Sequence, residues 1–369
     1  MGLLESALKD LNESEDFGVR VMARTRASVY LARKGDSALA REHIAALRGE
    51  ANPDYFAVST CGAILAEGVL AYVQGERQLA LDRLRRARAI STQFGEVRRW
   101  AEAWLAHVAF DADRYEELRD CHSSAISDVR PGEHAVLARI GATLGGATHY
   151  FGRFDLAKPW YEFARQHAVA EGDDLTIDAV LYNVAAIRLN DLRLQQINGA
   201  PDPSEAHRAE LELRSSVNYD RLKNSLSFRY ALPLLEAQCV LLKGDYEAAA
   251  RLYRAWFVQG SMHTPIRIVA SAKADFGAAL ARSGQSAEAC GLIDEVRNTR
   301  TPDSSDDDLA LIKYRAAEVA RCLGQSADHE LAMAEARAHL ADHRRAQQKG
   351  LATLAGVADA ARLGLNLPS

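Results

Sequence analysis

Two histidines near the carboxyl end of the chain have the spacing of a metal-binding pair. His339 and His343 lie four residues apart, which places both imidazoles on one face of a helix. Structural metal sites usually need at least four ligands and catalytic ones three, and the neighbouring sequence indicates no third ligand. We therefore interpret both as surface histidines and predict no metal and no cofactor.

An acidic stretch, TRTPDSSDDDLAL, occupies residues 299–311. It lacks the glycine and the regularly spaced oxygen ligands of an EF-hand calcium loop. Its carboxylates precede a helix predicted near Leu309, where negative charge is favourable at the helix amino terminus. That role accounts for them without an ion.

Nucleophilic and phosphate-binding motifs are equally weak. Cys121 and His122 are adjacent, and adjacent residues on a helix point in different directions. GATLGG, at residues 141–146, lacks the lysine and the preceding strand of a phosphate-binding loop. GxSxG and HExxH motifs do not occur. We predict no catalytic residue and no enzymatic activity; an unrecognised site, or a catalytic domain beyond this chain, is the alternative.

Charge and cysteine content restrict the partners and the compartment. The net charge is −5, so the arginines of LDRLRRARA (residues 81–89) are predicted to form a solvated face, and no nucleic acid partner is expected. The five cysteines are scattered and predicted to be reduced and buried. The amino terminus is charged, and no apolar run reaches the ~18 residues of a membrane span. Together these features predict a cytoplasmic protein.

A turn motif recurs along the chain and predicts the helices that must position any site. KGDYEAA, which begins at Lys243, has relatives with successive glycine spacings of 40, 77, 92, 40 and 40 residues. The longer spacings fit one degenerate unit, with Asp113 in place of glycine, and one unit enlarged by an insertion, so we expect about eight units. The repeat glycines are Gly35, Gly75, Gly152, Gly244, Gly284 and Gly324.

Small residues are placed at fixed distances from these glycines. An alanine follows five residues later, where a second helix must approach closely, and a larger residue follows four residues after that. The alanines are Ala40, Ala80, Ala157, Ala249 and Ala289, and the larger residues include Leu84, Tyr161, Tyr253 and Ile293.

This pattern resembles the tetratricopeptide repeat, most closely in LGGATHYFGRFDLAKPWYEFA at residues 144–164. The forty-residue period is longer than the family's ~34 residues and is similar to that of long-helix arrays in bacterial signalling and regulatory proteins. The resemblance implies an all-α fold: a right-handed superhelical solenoid of about eight antiparallel helix pairs. We assign residues 1–340 to the array and 341–369 to a C-terminal capping or dimerisation helix.

One unit is irregular. Asn198-Gly199 and two prolines interrupt the chain at 198–204, and a helix is predicted to restart near Ser204 with that serine as its cap. A tolerated surface loop is the simplest interpretation; a hinge, a dimer contact or a lip over a groove are the alternatives.

The resemblance implies a concave groove that binds a polypeptide, so we predict a non-enzymatic scaffold or regulatory protein, with homodimer formation a further option. The alternatives are a sensor of a signalling peptide or small metabolite, or the sensor region of a larger signalling enzyme such as a diguanylate cyclase. The groove residues that the resemblance implies are Arg139, His149, Tyr150, Tyr182, Asn190, Gln238, Tyr314, Glu318 and Arg321.

Overall fold

The computed structural model describes residues 2–50, 52–223, 228–259, 266–298 and 304–364, with side chains except at 266–267 and 358–364. The described chain is all-α: it contains 17 helices, is 85% helical and has no strand. Residues 299–303 of the acidic stretch and 365–369 of the predicted C-terminal segment lie outside the described residues.

The chain divides into two compact units, which are described separately. The first contains the described residues of 1–180 together with 223 and 350–364, and the second contains those of 181–222 and 228–349. Helices of the first unit are α1 (Leu3–Glu13), α2 (Phe17–Lys34), α3 (Ser37–Arg48), α4 (Pro53–Val73), α5 (Arg77–Ile90), α6 (Gly95–Asp111), α7 (Tyr115–Asp128), α8 (His134–Tyr150) and α9 (Phe154–Glu171). Helices of the second are α11 (Pro203–Lys223), α12 (Ala231–Leu242), α13 (Tyr246–Gln259), α14 (Ile266–Arg282), α15 (Ser286–Asn298) and α16 (Asp306–Cys322), whereas α10 (Asp174–Gln195) and α17 (Ser326–Gly364) contribute residues to both.

The predicted turn positions are confirmed by the backbone. All six repeat glycines lie in the left-handed region, with φ between 73° and 92°, which a residue without a Cβ adopts at no steric cost. Asp113, predicted to replace glycine in the degenerate unit, has φ 56° and is the only described non-glycine residue with positive φ. The repeat glycines therefore terminate the first helix of each pair.

Helix packing follows the small residues. In the first unit α2, α4, α6 and α8 pack on α3, α5, α7 and α9 respectively, and also form a row in which each contacts the next. Gly141 is where α8 approaches α9: a Cβ there would lie 2.9 Å from the backbone nitrogen of Ala164. In the second unit α12 packs on α13, α14 packs on α15, and α12, α14 and α16 form a similar row. The five predicted alanines are completely buried.

The first unit closes on itself. The backbone N–H of Leu3 donates to the carbonyl of Gly172 at 2.9 Å, and the Tyr30 hydroxyl contacts the Asp174 carboxylate at 2.8 Å. The Arg33 guanidinium donates to Asp173 at 2.7 Å. The amino-terminal helices α1 and α2 are therefore bonded to the turn that joins α9 to α10.

Some expectations are corrected. Asp202 caps α11, because its carboxylate accepts the backbone N–H of Ser204 at 2.8 Å; the predicted serine cap is wrong. Cys322 is exposed and Cys290 partly exposed, whereas the other three cysteines are buried; all five are free. Cys290 lies within α15 and Cys322 is the last residue of α16, so the prediction of burial is wrong for these two cysteines.

The long helix α17 begins at Ser326 and passes through the predicted boundary at 341 without a break. Its Leu354 and Val357 are buried in the core of the first unit, beside residues of that unit's main cluster. Its Ala336 and Leu340 are buried in a cluster of the second unit. These apolar side chains are satisfied within the chain and need no second copy to cover them.

Among the described helices, α4 is long and apolar enough to span a membrane by length and composition. Most of its apolar window, 61%, is buried inside the protein. Its residues Ile64, Leu65 and Val69 belong to the main core cluster of the first unit. Burial in that core accounts for the apolar composition of α4.

Candidate functional site

The second unit contains an open cavity of about 720 Å³. This volume is within the range of ~300–1,000 Å³ that is typical of ligand sites. Its wall combines the chain between α10 and α11, residues of α11 and α16, the turn between α12 and α13, and the last residue of α14. The lining residues are Gln196, Gly199, Ala200, Pro201, Pro203, Ala206, His207, Glu210, Leu242, Lys243, Tyr246, Arg282, Tyr314, Glu318 and Arg321. We call this cavity the second-unit groove.

The insertion forms one side of the groove. Gly199 has φ 152° and Pro201 cannot continue a helix, whereas Pro203 is the first residue of α11, where proline is tolerated. Gly199, Ala200, Pro201 and Pro203 all line the cavity. This placement is compatible both with a surface loop and with a lip over a groove.

A buried ionic network lies behind the opposite wall. Asp275 of α14 is completely buried and accepts hydrogen bonds from Arg193 at 2.5 Å and Arg315 at 2.8 Å. The Tyr253 hydroxyl contacts the same carboxylate at 3.1 Å. Burial, followed by the charge of Asp275, raises the pKa of Tyr253 well above its usual value, so this hydroxyl stays protonated and donates. One carboxylate thus joins α10, α13, α14 and α16.

Arg315 connects this network to the groove. Its guanidinium donates to Glu318 at 2.5 Å and to Gln196 at 3.0 Å, and both of these residues line the cavity. Burial opposes the charge of Arg315, but Glu318 and Asp275 outweigh burial and raise its pKa. The positions of Glu318 and Gln196 are therefore set by a side chain that is itself held by Asp275.

The rim of the groove carries both signs of charge. Lys243 donates to Glu210 at 3.1 Å, and this hydrogen bond lowers the pKa of that carboxyl. Arg282 donates to the hydroxyl of Tyr246 at 2.8 Å, and its guanidinium lies 4.6 Å from the ring centroid of the same tyrosine. Arg321 lies 3.8 Å from Glu318. The lysine, the two arginines and the two glutamates of the groove give it a net charge of about +1.

Three of the nine predicted groove residues line this cavity, namely Tyr314, Glu318 and Arg321. Burial, with a smaller contribution from Glu318, raises the pKa of Tyr314 and keeps its hydroxyl neutral. The other three in this unit do not line it. Asn190 donates to Asp307 at 3.0 Å, Tyr182 stacks on Phe228 with ring centroids 4.2 Å apart, and Gln238 is 8% exposed within α12.

The remaining three predicted residues belong to the first unit, and their side chains pack inward. Arg139 is 5% exposed and lies over the ring of Trp104. His149 is 7% exposed and its Nδ1 is 3.3 Å from the Tyr161 hydroxyl. Tyr150 is half-buried and packs edge-on against Phe110.

Sequence reasoning missed Gln196, Tyr246 and Arg282. Tyr246 directly follows the repeat motif Lys243-Gly-Asp, so its position at a helix start was visible in the opening turn of that unit. Arg282 is the last residue of α14. Residues at helix ends therefore form much of this groove, whereas the prediction selected residues within the first helices.

The histidine prediction is partly wrong. His343 is 4% exposed, so it is not a surface residue. His339 is half-buried, and its Nδ1 lies 3.0 Å from a carboxylate oxygen of Asp306. Ligand atoms of Asp306, His339 and Asp342 lie within 4.8 Å of one another, all three being partly exposed. Asp342 lies three residues after His339 on α17, whereas Asp306 comes from α16, a neighbour that spacing along one helix cannot show.

No family model matches the chain, and a search of curated proteins finds no significant match.

Proposed function

We propose that this protein is a non-enzymatic interaction protein that binds a polypeptide in the second-unit groove. The fold assigned to it is a tetratricopeptide-like solenoid of eight antiparallel helix pairs, and the role is that of a scaffold or regulatory protein. The main support is the groove itself: an open cavity of about 720 Å³ whose wall combines tyrosines, arginines and an apolar lip.

The composition of the groove suits a peptide. Tyr246 and Tyr314 provide flat surfaces with a polar tip, and aromatic and guanidinium groups commonly contribute most of the binding energy at interfaces. Pro201, Pro203 and Leu242 supply apolar contact on the other side. A segment with an aromatic or aliphatic anchor would bury it between these two sides.

Charge selects among peptides. Lys243 and Arg321 each lie within 4 Å of a carboxylate, whereas the hydrogen-bond acceptor of Arg282 is the hydroxyl of Tyr246 and Glu318 acts on Arg282 only through its charge. Arg282 is therefore the cation of the groove best placed to receive an acidic side chain. We expect the preferred peptides to combine one acidic residue with one apolar or aromatic residue.

A peptide-display experiment tests the proposal. A random 12-residue library is selected on the full chain and then counter-selected on a Tyr314→Ala, Arg282→Ala double variant. Enriched peptides should share an acidic and an apolar position, and their affinity should fall at least tenfold in the double variant. Arg254→Ala is the matched control, because Arg254 forms an exposed ion pair with Glu288 and does not line the groove.

Peptides that bind the double variant as tightly as the original chain would refute the groove assignment. A selection without any consensus would refute polypeptide binding in this groove.

A further inference from the structure

The first unit contains a buried cation whose positive charge is offset by a carboxylate only at a distance. Arg139 of α8 is 5% exposed, and its side chain makes no hydrogen bond or ion pair with any residue in the described part of the chain. A guanidinium removed from water normally requires such partners. The guanidinium instead makes a cation–π contact with the ring of Trp104, whose centroid lies 3.8 Å from the guanidinium carbon.

The surroundings of Arg139 are short of acceptors. Trp104 is 3% exposed, and its indole N–H has no hydrogen-bond partner among the described residues. The guanidinium of Arg33 also lies near this ring, 5.8 Å from its centroid. The guanidinium groups of Arg33 and Arg139 therefore both lie near the Trp104 ring, whose own N–H donor has no described acceptor.

The carboxylate whose charge acts on Arg139 is that of Asp173, and its hydrogen bonds go to other residues. Asp173 accepts hydrogen bonds from Arg33 at 2.7 Å, from the Thr176 hydroxyl at 2.6 Å and from the Thr176 backbone N–H at 3.1 Å. It is 4% exposed and is held by these bonds beside Arg33. Asp173 therefore binds Arg33 directly and acts on Arg139 only through its charge, so Arg139 has no direct ionic partner among the described residues.

His107 adds no positive charge to the cluster. Burial, followed by the charges of Arg139 and Arg33, lowers its pKa well below the usual value, so the imidazole is neutral. Two guanidinium groups and one carboxylate leave a net charge of about +1. That charge matches a monoanion, whereas a phosphate dianion would over-neutralise it.

We propose that the first unit binds a small organic monocarboxylate, whose carboxylate accepts hydrogen bonds from Arg139 beside Trp104 and His107. Arginine presents parallel N–H groups that suit the two oxygens of a carboxylate. Tyr72, which packs edge-on against His107 at a centroid distance of 5.2 Å, provides an aromatic neighbour for the body of the ligand.

The closure of the first unit restricts the ligand's size. Hydrogen bonds of Tyr30 and Arg33 to Asp174 and Asp173 cross from α2 to the start of α10, on the side where Arg139 lies. An extended polypeptide needs a groove that continues over several helices. A site whose central arginine is 5% exposed suits a small molecule, which separates this site from the second-unit groove.

Isothermal titration calorimetry on the full chain tests the proposal with sodium acetate, butyrate and benzoate at constant ionic strength. Benzyl alcohol serves as the neutral counterpart of benzoate, and inorganic phosphate and an acidic peptide serve as competing anions. We expect saturable binding of at least one carboxylate, no binding of benzyl alcohol, and an affinity at least tenfold lower in Arg139→Met.

Arg139→Lys keeps the charge but loses the paired N–H groups, so it should also weaken binding, and it provides the test if Arg139→Met fails to fold. Arg153→Met is the control, because Arg153 is exposed and pairs with Asp155. Absence of carboxylate binding, equal affinity in the Arg139 variants, or tighter binding of phosphate or the acidic peptide would each overturn the proposal.

Discussion

Replacing Asp275 with asparagine keeps the shape of this side chain and removes its charge. The carboxylate is completely buried and accepts hydrogen bonds from Arg193 and Arg315, whose side chains are 4% and 2% exposed. Removing one partner of a buried ion pair typically costs ~3–5 kcal/mol, because the other charge stays buried without compensation. Asp275→Asn should therefore destabilise the second unit strongly.

The magnitude follows from what each arginine retains. Arg315 keeps its bond to Glu318, whereas Arg193 keeps only a contact to the Asn190 side-chain oxygen at 3.3 Å. Most of the loss thus falls on Arg193, and we expect about 3 kcal/mol, at the lower end of the range for broken buried pairs. The double variant Asp275→Asn, Arg193→Met should recover part of it, because it also removes the uncompensated cation.

Hydrogen exchange measured by mass spectrometry can localise the effect. Protection of backbone amides in α14 and α16 should fall by about two orders of magnitude, since ~1.4 kcal/mol corresponds to a factor of ten. Peptides from α4 of the first unit serve as an internal reference. Glu288→Gln is the matched control: its ion pair with Arg254 is about half exposed on both sides, so it should cost less than ~1 kcal/mol.

A loss of protection below tenfold in Asp275→Asn would refute the description of this network as buried and mutually dependent. The same conclusion would follow if Arg193→Met in the double variant gave no recovery.

Three further changes test other features. Gly141→Ala should cost ~1–3 kcal/mol in chemical denaturation, because its Cβ would lie 2.9 Å from the backbone of α9. Gly291→Ala, whose Cβ would have no atom within 4 Å, should instead stabilise the protein by up to ~1 kcal/mol. Similar values for the two variants would contradict the close approach of α8 to α9. Burial lowers the pKa of His122 from 6.5 to about 3, so the native state stays neutral while the unfolded state takes up a proton as the pH falls below 6.5. About 3 kcal/mol of stability should therefore be lost by pH 4, and acid titration of His122→Met should show a smaller loss. A thiol-labelling time course should modify exposed Cys322 first and Cys121 last, because burial raises the pKa of Cys121 to about 12; Cys322→Ser should abolish the fast phase.

Local features of the fold could be predicted from the sequence because they depend on local chemistry. A glycine, or Asp113, at each turn is required by positive φ, and the small residues five positions later are required by close helix packing. These rules act within about forty residues, so a single repeat displays them. The helix pairs and turn positions were predictable for that reason.

The groove was only partly predictable because its walls come from residues far apart in the chain. Arg193 and Asp275 are 82 residues apart, and Arg315 and Gln196 are 119 apart. Whether Arg282 faces a carboxylate or a tyrosine hydroxyl depends on the relative rotation of α13 and α14, which periodicity does not specify. Arg139 illustrates the same limit: the repeat pattern predicted its helix, but not its position over Trp104.

The bonds that join α1 and α2 to the turn between α9 and α10 also affect how the first unit folds. In a linear repeat array each repeat contacts only its neighbours, so folding can start anywhere and ends can fray independently. Here Leu3 and Tyr30 have partners 169 and 144 residues away. Such distant contacts slow folding, because loop closure must come before they form. During synthesis the first helix pair has to wait for residue 174 before its native bonds are complete, and the closed unit should then unfold as one cooperative body.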